Sequence, residues 1–286
     1  MGRRVSRRFV AGMTVEEAIA VAEQLNSEGI DVTLDSLGES VTEVSQAEES
    51  ATIYTRLLDE IGTRKLRANV SLKLTQMGMD IGGHGAGPEL AEGIVARLVE
   101  HAAAIGSFVR VDMEGSDYTE ATIAMTERLY QRWPGAVGTV LQAYLYRTGD
   151  DVERLLAQGI RMRLCKGAYK EPAEIAFPAK SDVDANYVKL AKRVMANPVF
   201  CGIATHDETI VDELKRFVEA HAVEKSSFEF QMLYGVRRDL QRKLVAAGFG
   251  VRVYVPFGRE WYPYFMRRLA ERPANVLFLA KNFFKN

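Results

Sequence analysis

The chain has 286 residues, 47% hydrophobic and 26% charged, with a formal net charge of -1. That supplies a large core, lacks the basic bias of a nucleic-acid binder, and contains no apolar run near the ~18–20 residues of a membrane span. Cys165 and Cys201 both fall in apolar runs, which points to buried free thiols in a reducing compartment. The basic start, Met1 to Arg8, has no apolar stretch and cleavage site after it, so no signal peptide is expected and the default location is cytoplasmic. That start reads as a frayed terminus, with a weak contact with acidic lipid as the sharper alternative.

In chain order, Thr14 is placed to cap a helix over 15–25, and residues 1–30 read as an N-terminal helical extension. Strands are expected at 31–35, 68–73, 108–112, 138–142, 159–165, 200–205, 227–232 and 251–255. Amphipathic helical stretches lie between them at 119–133, 150–158, 184–197, 209–221 and 239–247. The glycine-rich Gly82-Gly-His-Gly-Ala-Gly87 reads as a flexible loop, either a connector or a lid. Repeated strand–helix units of this number predict a (βα)8 barrel, forming one catalytic domain over 1–286. An open doubly wound sheet is the alternative, but no Gly-x-Gly-x-x-Gly follows the first strand. After the last strand a helix is expected over Trp261 to Glu271, laid across the barrel mouth. Offsets of three, four and seven put Tyr264, Arg267, Arg268 and Glu271 on one of its faces. The apolar stretch 276–284 reads as a docked helix or a membrane-touching tail.

Barrel chemistry belongs at the C-terminal ends of the strands. Those ends carry Asp35 and then Glu39, Lys73, Asp112 with Glu114, Gln142, Arg163 leading to Lys166, Thr205-His206-Asp207, Gln231 with Leu233, and Tyr254. Each alone has a structural explanation, as a snorkelling lysine or a satisfied amide. Together they predict one polar mouth, cationic through Lys73, Arg163, Lys166, Arg267 and Arg268, and suited to an anionic ligand. The paired arginines form a planar fork that fits a carboxylate. The four histidines include no pair at ligand spacing, so no metal is expected. A Schiff-base lyase using Lys73 or Lys166 is a competing reading, and a non-catalytic small-acid sensor is a third.

Arg163-Leu-Cys-Lys-Gly-Ala-Tyr169, Ala204-Thr-His206, Phe228-Glu-Phe-Gln-Met-Leu233 and Tyr264-Phe-Met-Arg-Arg-Leu-Ala-Glu271 resemble motifs of the proline dehydrogenases. Phe108-Val-Arg-Val-Asp-Met113 and Asn69-Val-Ser-Leu-Lys-Leu74 fit the same pattern. The resemblance implies a distorted (βα)8 barrel that binds FAD without a dinucleotide fold. It implies oxidation of L-proline to Δ1-pyrroline-5-carboxylate, with hydride passing from C5 to flavin N5 and electrons on to a membrane quinone. By the same resemblance, Lys73, Arg267 and Arg268 clamp the substrate carboxylate, and Leu233, Tyr254 and Tyr264 wall the ring. Asp112 and Arg163 match the active-site acid and the arginine near flavin N5. Met113, Gln142, Lys166, Gly167, Ala168, Thr205 and His206 match flavin-contacting positions, Glu271 the ribose side, and Glu39 a gate that pairs with Arg267. No aldehyde dehydrogenase module is present, which implies the monofunctional bacterial type. A separate pyrroline-5-carboxylate dehydrogenase is then an expected partner, and peripheral contact with the inner membrane an expected location. Lys170 stands where bifunctional relatives often place tryptophan.

Overall fold

A computed structural model describes residues 8–262 together with Tyr264 and Met266, leaving aside the side chains of 83–85. Arg267, Arg268, Glu271 and the stretch 276–284 lie outside the described residues. Eight parallel strands close into a barrel in strict sequence order. They are β1 (Asp31–Ser36), β2 (Ala68–Leu72), β3 (Val109–Val111), β4 (Val137–Gln142), β5 (Met162–Cys165), β6 (Cys201–Ala204), β7 (Phe228–Leu233) and β8 (Gly250–Phe257). The seam pairs β1 with β8 from Asp31↔Arg252 through Ser36↔Phe257.

Among the described residues eight α-helices accompany them: α1 (Val15–Ser27), α2 (Val44–Arg64), α3 (Gly83–Ala104), α4 (Thr119–Arg132), α5 (Thr148–Ala157), α6 (Lys180–Met195), α7 (Glu208–Ala220) and α8 (Arg238–Ala246). Alternation along each strand sends aliphatic residues such as Val32, Leu34, Val70 and Leu72 outward, where they join one continuous core beneath the helices. The inward positions are largely polar and buried, for example Thr33, Asn69, Arg110, Glu229 and Arg252. Among the described residues no helix is long and apolar enough to cross a membrane.

Helix α1 starts where Thr14 predicts. The Thr14 hydroxyl accepts from the Glu17 amide at 3.3 Å, and the Glu17 carboxylate accepts from the Thr14 amide at 3.3 Å. Its buried stripe of Val15, Ala18, Ile19, Ala22 and Leu25 lies against β1 and β8. This N-terminal helix, expected ahead of the barrel, covers its seam. The glycine-rich stretch differs from the expected flexible loop. It opens the first turn of α3, and Gly87 packs so close to Met79 that an added Cβ would sit 2.2 Å from the Met79 carbonyl oxygen. Close approach, not freedom of motion, accounts for glycine there.

Candidate active site

At the C-terminal ends of the strands a cavity of about 460 Å³ opens into the barrel, within the size range of small-molecule sites. Asp112, one residue past β3, organises its floor. Its Oδ1 accepts from the Ser71 hydroxyl at 2.6 Å and from Arg163 Nη1 at 2.7 Å, and its Oδ2 accepts from the Tyr254 hydroxyl at 2.8 Å. Strands β2, β5 and β8 thus each send one side chain to the single carboxylate that follows β3. Burial, with Asp112 and Asp35 nearby, pushes the Tyr254 phenol far up, so it stays protonated and remains a donor. The Arg163 guanidinium also lies 5.2 Å over the Tyr254 ring.

Arg163 is held from below as well. Its Nε donates to Gln231 Oε1 at 2.6 Å, Gln231 Nε2 donates to Glu229 at 2.6 Å, and Glu229 accepts from Arg252 Nε at 2.6 Å. This chain of bonds runs down the barrel axis. Gly202 makes room for it, since a Cβ there would meet Gln231 Nε2 at 2.2 Å. With Nε and Nη1 fixed, Arg163 Nη2 is left buried without a hydrogen-bond partner. Gln142 Oε1 is buried and unpartnered in the same way, while its Nε2 donates to the Glu114 carbonyl at 3.2 Å. Orphaned polar atoms are costly in a closed interior, and these two belong to residues that line the cavity.

Lys73, just beyond β2, has its ammonium 3.8 Å from Asp35 Oδ2. Burial alone would lower its pKa, but Asp35, Asp112 and other acids nearby together hold it above the ordinary lysine range. Burial also raises the Asp35 carboxyl, an effect Lys73 opposes and Asp112 reinforces. Tyr54 supports Asp35 from α2, donating to its Oδ1 at 3.2 Å. Lys166, after β5, pairs with Asp184 of α6 at 2.5 Å and faces Asp207 at 3.7 Å. Among the described lining residues the cations Lys73, Arg163, Lys166 and Lys180 stand with three acids, Asp35, Asp112 and Asp207. Asp184, from α6, pairs with Lys166 and Lys180. Sequence order hides these pairings because the acids arrive from other strands and from α6, and the two arginines expected to add to the cationic cast, Arg267 and Arg268, lie outside the described residues.

The remaining sequence-predicted residues gather as follows. Met113, Gly167, Ala168, Thr205, Leu233 and Tyr264 all line the cavity. Gly167 has φ +116°, and a Cβ there would lie 2.4 Å from the Tyr144 ring, so glycine is required for the chain to turn. His206 Nε2 accepts from the Leu233 amide at 2.9 Å, which assigns the proton to Nδ1. Tyr264 is buried with Phe9, Val10 and Leu37, an apolar cluster that pins the start of the final segment to the mouth. Glu39 is exposed on the loop after β1, and its expected partner Arg267 lies outside the described residues, as do Arg268 and Glu271.

Sequence reasoning missed Cys165, Tyr169 and Lys180, which also line the cavity. Cys165 is less enclosed than expected, being partly exposed, whereas Cys201 is buried. Asp35 was visible as a strand-end acid, but nothing local marks it as the partner of Lys73.

Comparison with known proteins agrees with this geometry. A family model described as proline dehydrogenase matches residues 18–281. A proline dehydrogenase of Deinococcus radiodurans is 41% identical over 284 residues, covering 98% of this chain and 90% of the relative. Proline dehydrogenase 2 of Bacillus subtilis is 39% identical, covering 99% of this chain and 92% of the relative. Among solved structures, proline utilization A from Bdellovibrio bacteriovorus, inactivated by N-propargylglycine, superposes with a TM-score of 0.86 at 23% identity. That match covers 94% of this chain and 33% of the other, and carries the fold alone. A closed parallel barrel with this mouth, matched along nearly its full length to those relatives, places the chain in the proline dehydrogenase family.

Proposed function

We propose that the protein oxidises L-proline to Δ1-pyrroline-5-carboxylate with FAD as its resident cofactor, the opening step in degrading proline to glutamate. FAD, when bound, would supply a hydride acceptor at N5 and an outlet for the electrons to a membrane quinone. The observation that carries this reading is the pair of orphaned polar atoms at the mouth, a donor on Arg163 and an acceptor on Gln142. A flavin pyrimidine edge offers both acceptors and an N–H donor, and so answers both. Met113, Lys166, Gly167, Ala168, Thr205 and His206 would hold the rest of the cofactor.

Proline presents one fixed charge and an apolar ring. Lys73, with Arg267 and Arg268 supplied by the final segment, binds the carboxylate. Leu233, Tyr254 and Tyr264 pack the ring and keep water away. The ring amine must shed its proton before hydride can leave C5, and the cations Lys73 and Arg163 disfavour its ammonium form. As positive charge then develops along the C5–N bond, the Asp112 carboxylate offsets it. Glu39 gates the mouth by pairing with Arg267. The product passes to a separate pyrroline-5-carboxylate dehydrogenase, and the enzyme works in the cytoplasm with peripheral contact at the inner membrane.

The lyase reading fares worse on chemistry. A Schiff base needs a neutral amine, yet acids hold Lys73 above the ordinary range and Lys166 is paired with Asp184. The test is optical. The purified protein is expected to be yellow and to bleach when L-proline is added without an electron acceptor. A colourless protein that borohydride traps on an aldehyde would make it a lyase, and a yellow protein that never bleaches would make it a sensor.

A further inference from the structure

The opposite end of the barrel has a second concavity, at the N-terminal ends of the strands. It holds about 450 Å³ and is lined by Lys65, Arg67, Arg161 and Arg252 with a single acid, Asp31. Asp31 is already shared, 2.9 Å from Arg67 Nε and 3.2 Å from Arg252 Nη2. Glu229 lies above and is engaged by Arg252 at 2.6 Å. Among the described residues no carboxylate pairs with Arg161 or Lys65.

Three guanidinium groups crowd one aromatic ring here. Arg161, Arg110 and Arg252 lie 4.2, 5.2 and 5.6 Å from the centroid of Phe108. Arg110 is wholly buried, spends Nη1 on the carbonyls of Thr139 and Arg161, and leaves Nε and Nη2 without partners. Burial pushes the pKa of Arg161 down, and Arg252 pushes it further. Like charges gathered in a poorly solvated pocket are destabilising unless a counter-charge joins them. The ring faces answer part of that need, but cation–π contacts do not neutralise charge.

We propose that this floor concavity is a binding site for a phosphate-class oxyanion, centred on Arg161 and closed over by Lys65 and Arg67. A small multivalent oxyanion supplies both the missing charge and acceptors for a planar fork. The apolar part of the lining, Ile61, Leu66, Ile105 and Phe108, leaves room for the organic part of a phosphate ester. The site lies at the far end of the barrel from the mouth and takes no part in the reaction proposed above.

The experiment uses the holoenzyme with its cofactor saturating, so that the mouth is occupied. Inorganic phosphate is titrated against chloride at matched ionic strength and pH, reading the melting temperature and the heat of binding. Phosphate should stabilise saturably, with one site. Arg161→Ala should weaken its affinity at least about tenfold, equivalent to ~1.4 kcal/mol. Should that variant not fold, Lys65→Gln, at an exposed position, should still weaken phosphate about threefold, in line with one solvent-facing charge contact. No stabilisation beyond chloride, or equal phosphate affinity in the variants, overturns the proposal. Sedimentation with phosphatidylglycerol and phosphatidylcholine vesicles separates the sources. Pelleting with the anionic vesicles that inorganic phosphate reverses identifies a lipid headgroup, and phosphate binding without pelleting identifies a soluble phosphate. Because no turnover is read, neither result bears on proline oxidation.

Discussion

Replacing Asp112 by Asn tests the centre of the mouth most directly. The two side chains have the same shape, so Oδ1 can still accept from Ser71 and Arg163, and the Tyr254 hydroxyl can turn to accept instead of donate. What disappears is the charge. Arg163 and Asp112 have side chains only 9% and 11% exposed, so solvent screens the loss weakly. Removing one member of a buried pair costs roughly 3–5 kcal/mol, and retention of the hydrogen bonds argues for about 3. With an unfolding entropy of ~2.1 cal/mol/K per residue, a chain of this size should then melt about 5 °C lower. If the same carboxylate also offsets positive charge developing on the substrate, kcat should fall on the order of 100-fold while the Michaelis constant for proline moves much less. The assays are a thermal melt of the cofactor-loaded protein and steady-state turnover with an artificial electron acceptor. A double-mutant cycle with Arg163→Met should show coupling above ~1.5 kcal/mol. A melting temperature and kcat both indistinguishable from the parent would refute the reasoning, because the two groups would then not share a desolvated site.

Lys73→Met should raise the proline Michaelis constant at least about tenfold, if it removes the proposed substrate-carboxylate contact, and lower stability, since it leaves Asp35 buried without its cation; turnover at varied proline and a thermal melt check it. Gly167→Ala forces a Cβ onto the Tyr144 ring at a backbone angle alanine resists, so it should cost ~1–3 kcal/mol. It should also lower the flavin retained through gel filtration, read as the ratio of visible to ultraviolet absorbance. Burial pushes the Cys165 thiol up to about 11 and the Cys201 thiol up to about 12. Because the thiolate is the reactive form and a raised pKa keeps it scarce below those values, iodoacetamide at pH 8 should label Cys165 roughly 100-fold more slowly than an unfolded control.

The strands were the most legible part of the chain. Runs such as Val251-Arg-Val-Tyr-Val255 are β-branched and aromatic, and glycines or polar turns bound them, so all eight appear in place. Their ends differ by up to three residues, because pairing in the barrel sets them. Helices α2 and α3 were harder. The first opens on a polar run with Glu43 at its cap, and the second hides behind a glycine-rich start in which Gly87 packs against Met79. Strand-end positions showed which polar residues would meet. They did not show which would pair, since Asp112 is bound by Ser71, 41 positions away, and by Tyr254, 142 positions away. Partners so distant in sequence are fixed by barrel closure, which no local signal encodes.

The β1–β8 seam has a consequence for synthesis. A ribosome must deliver residue 257 before the ring can shut, so for most of translation the first strand has a bare edge and α1 has only half of its seat. The nascent chain must wait in an open, curled intermediate, and a factor that shields strand edges during that interval should raise the yield of active enzyme more than one that speeds any later step.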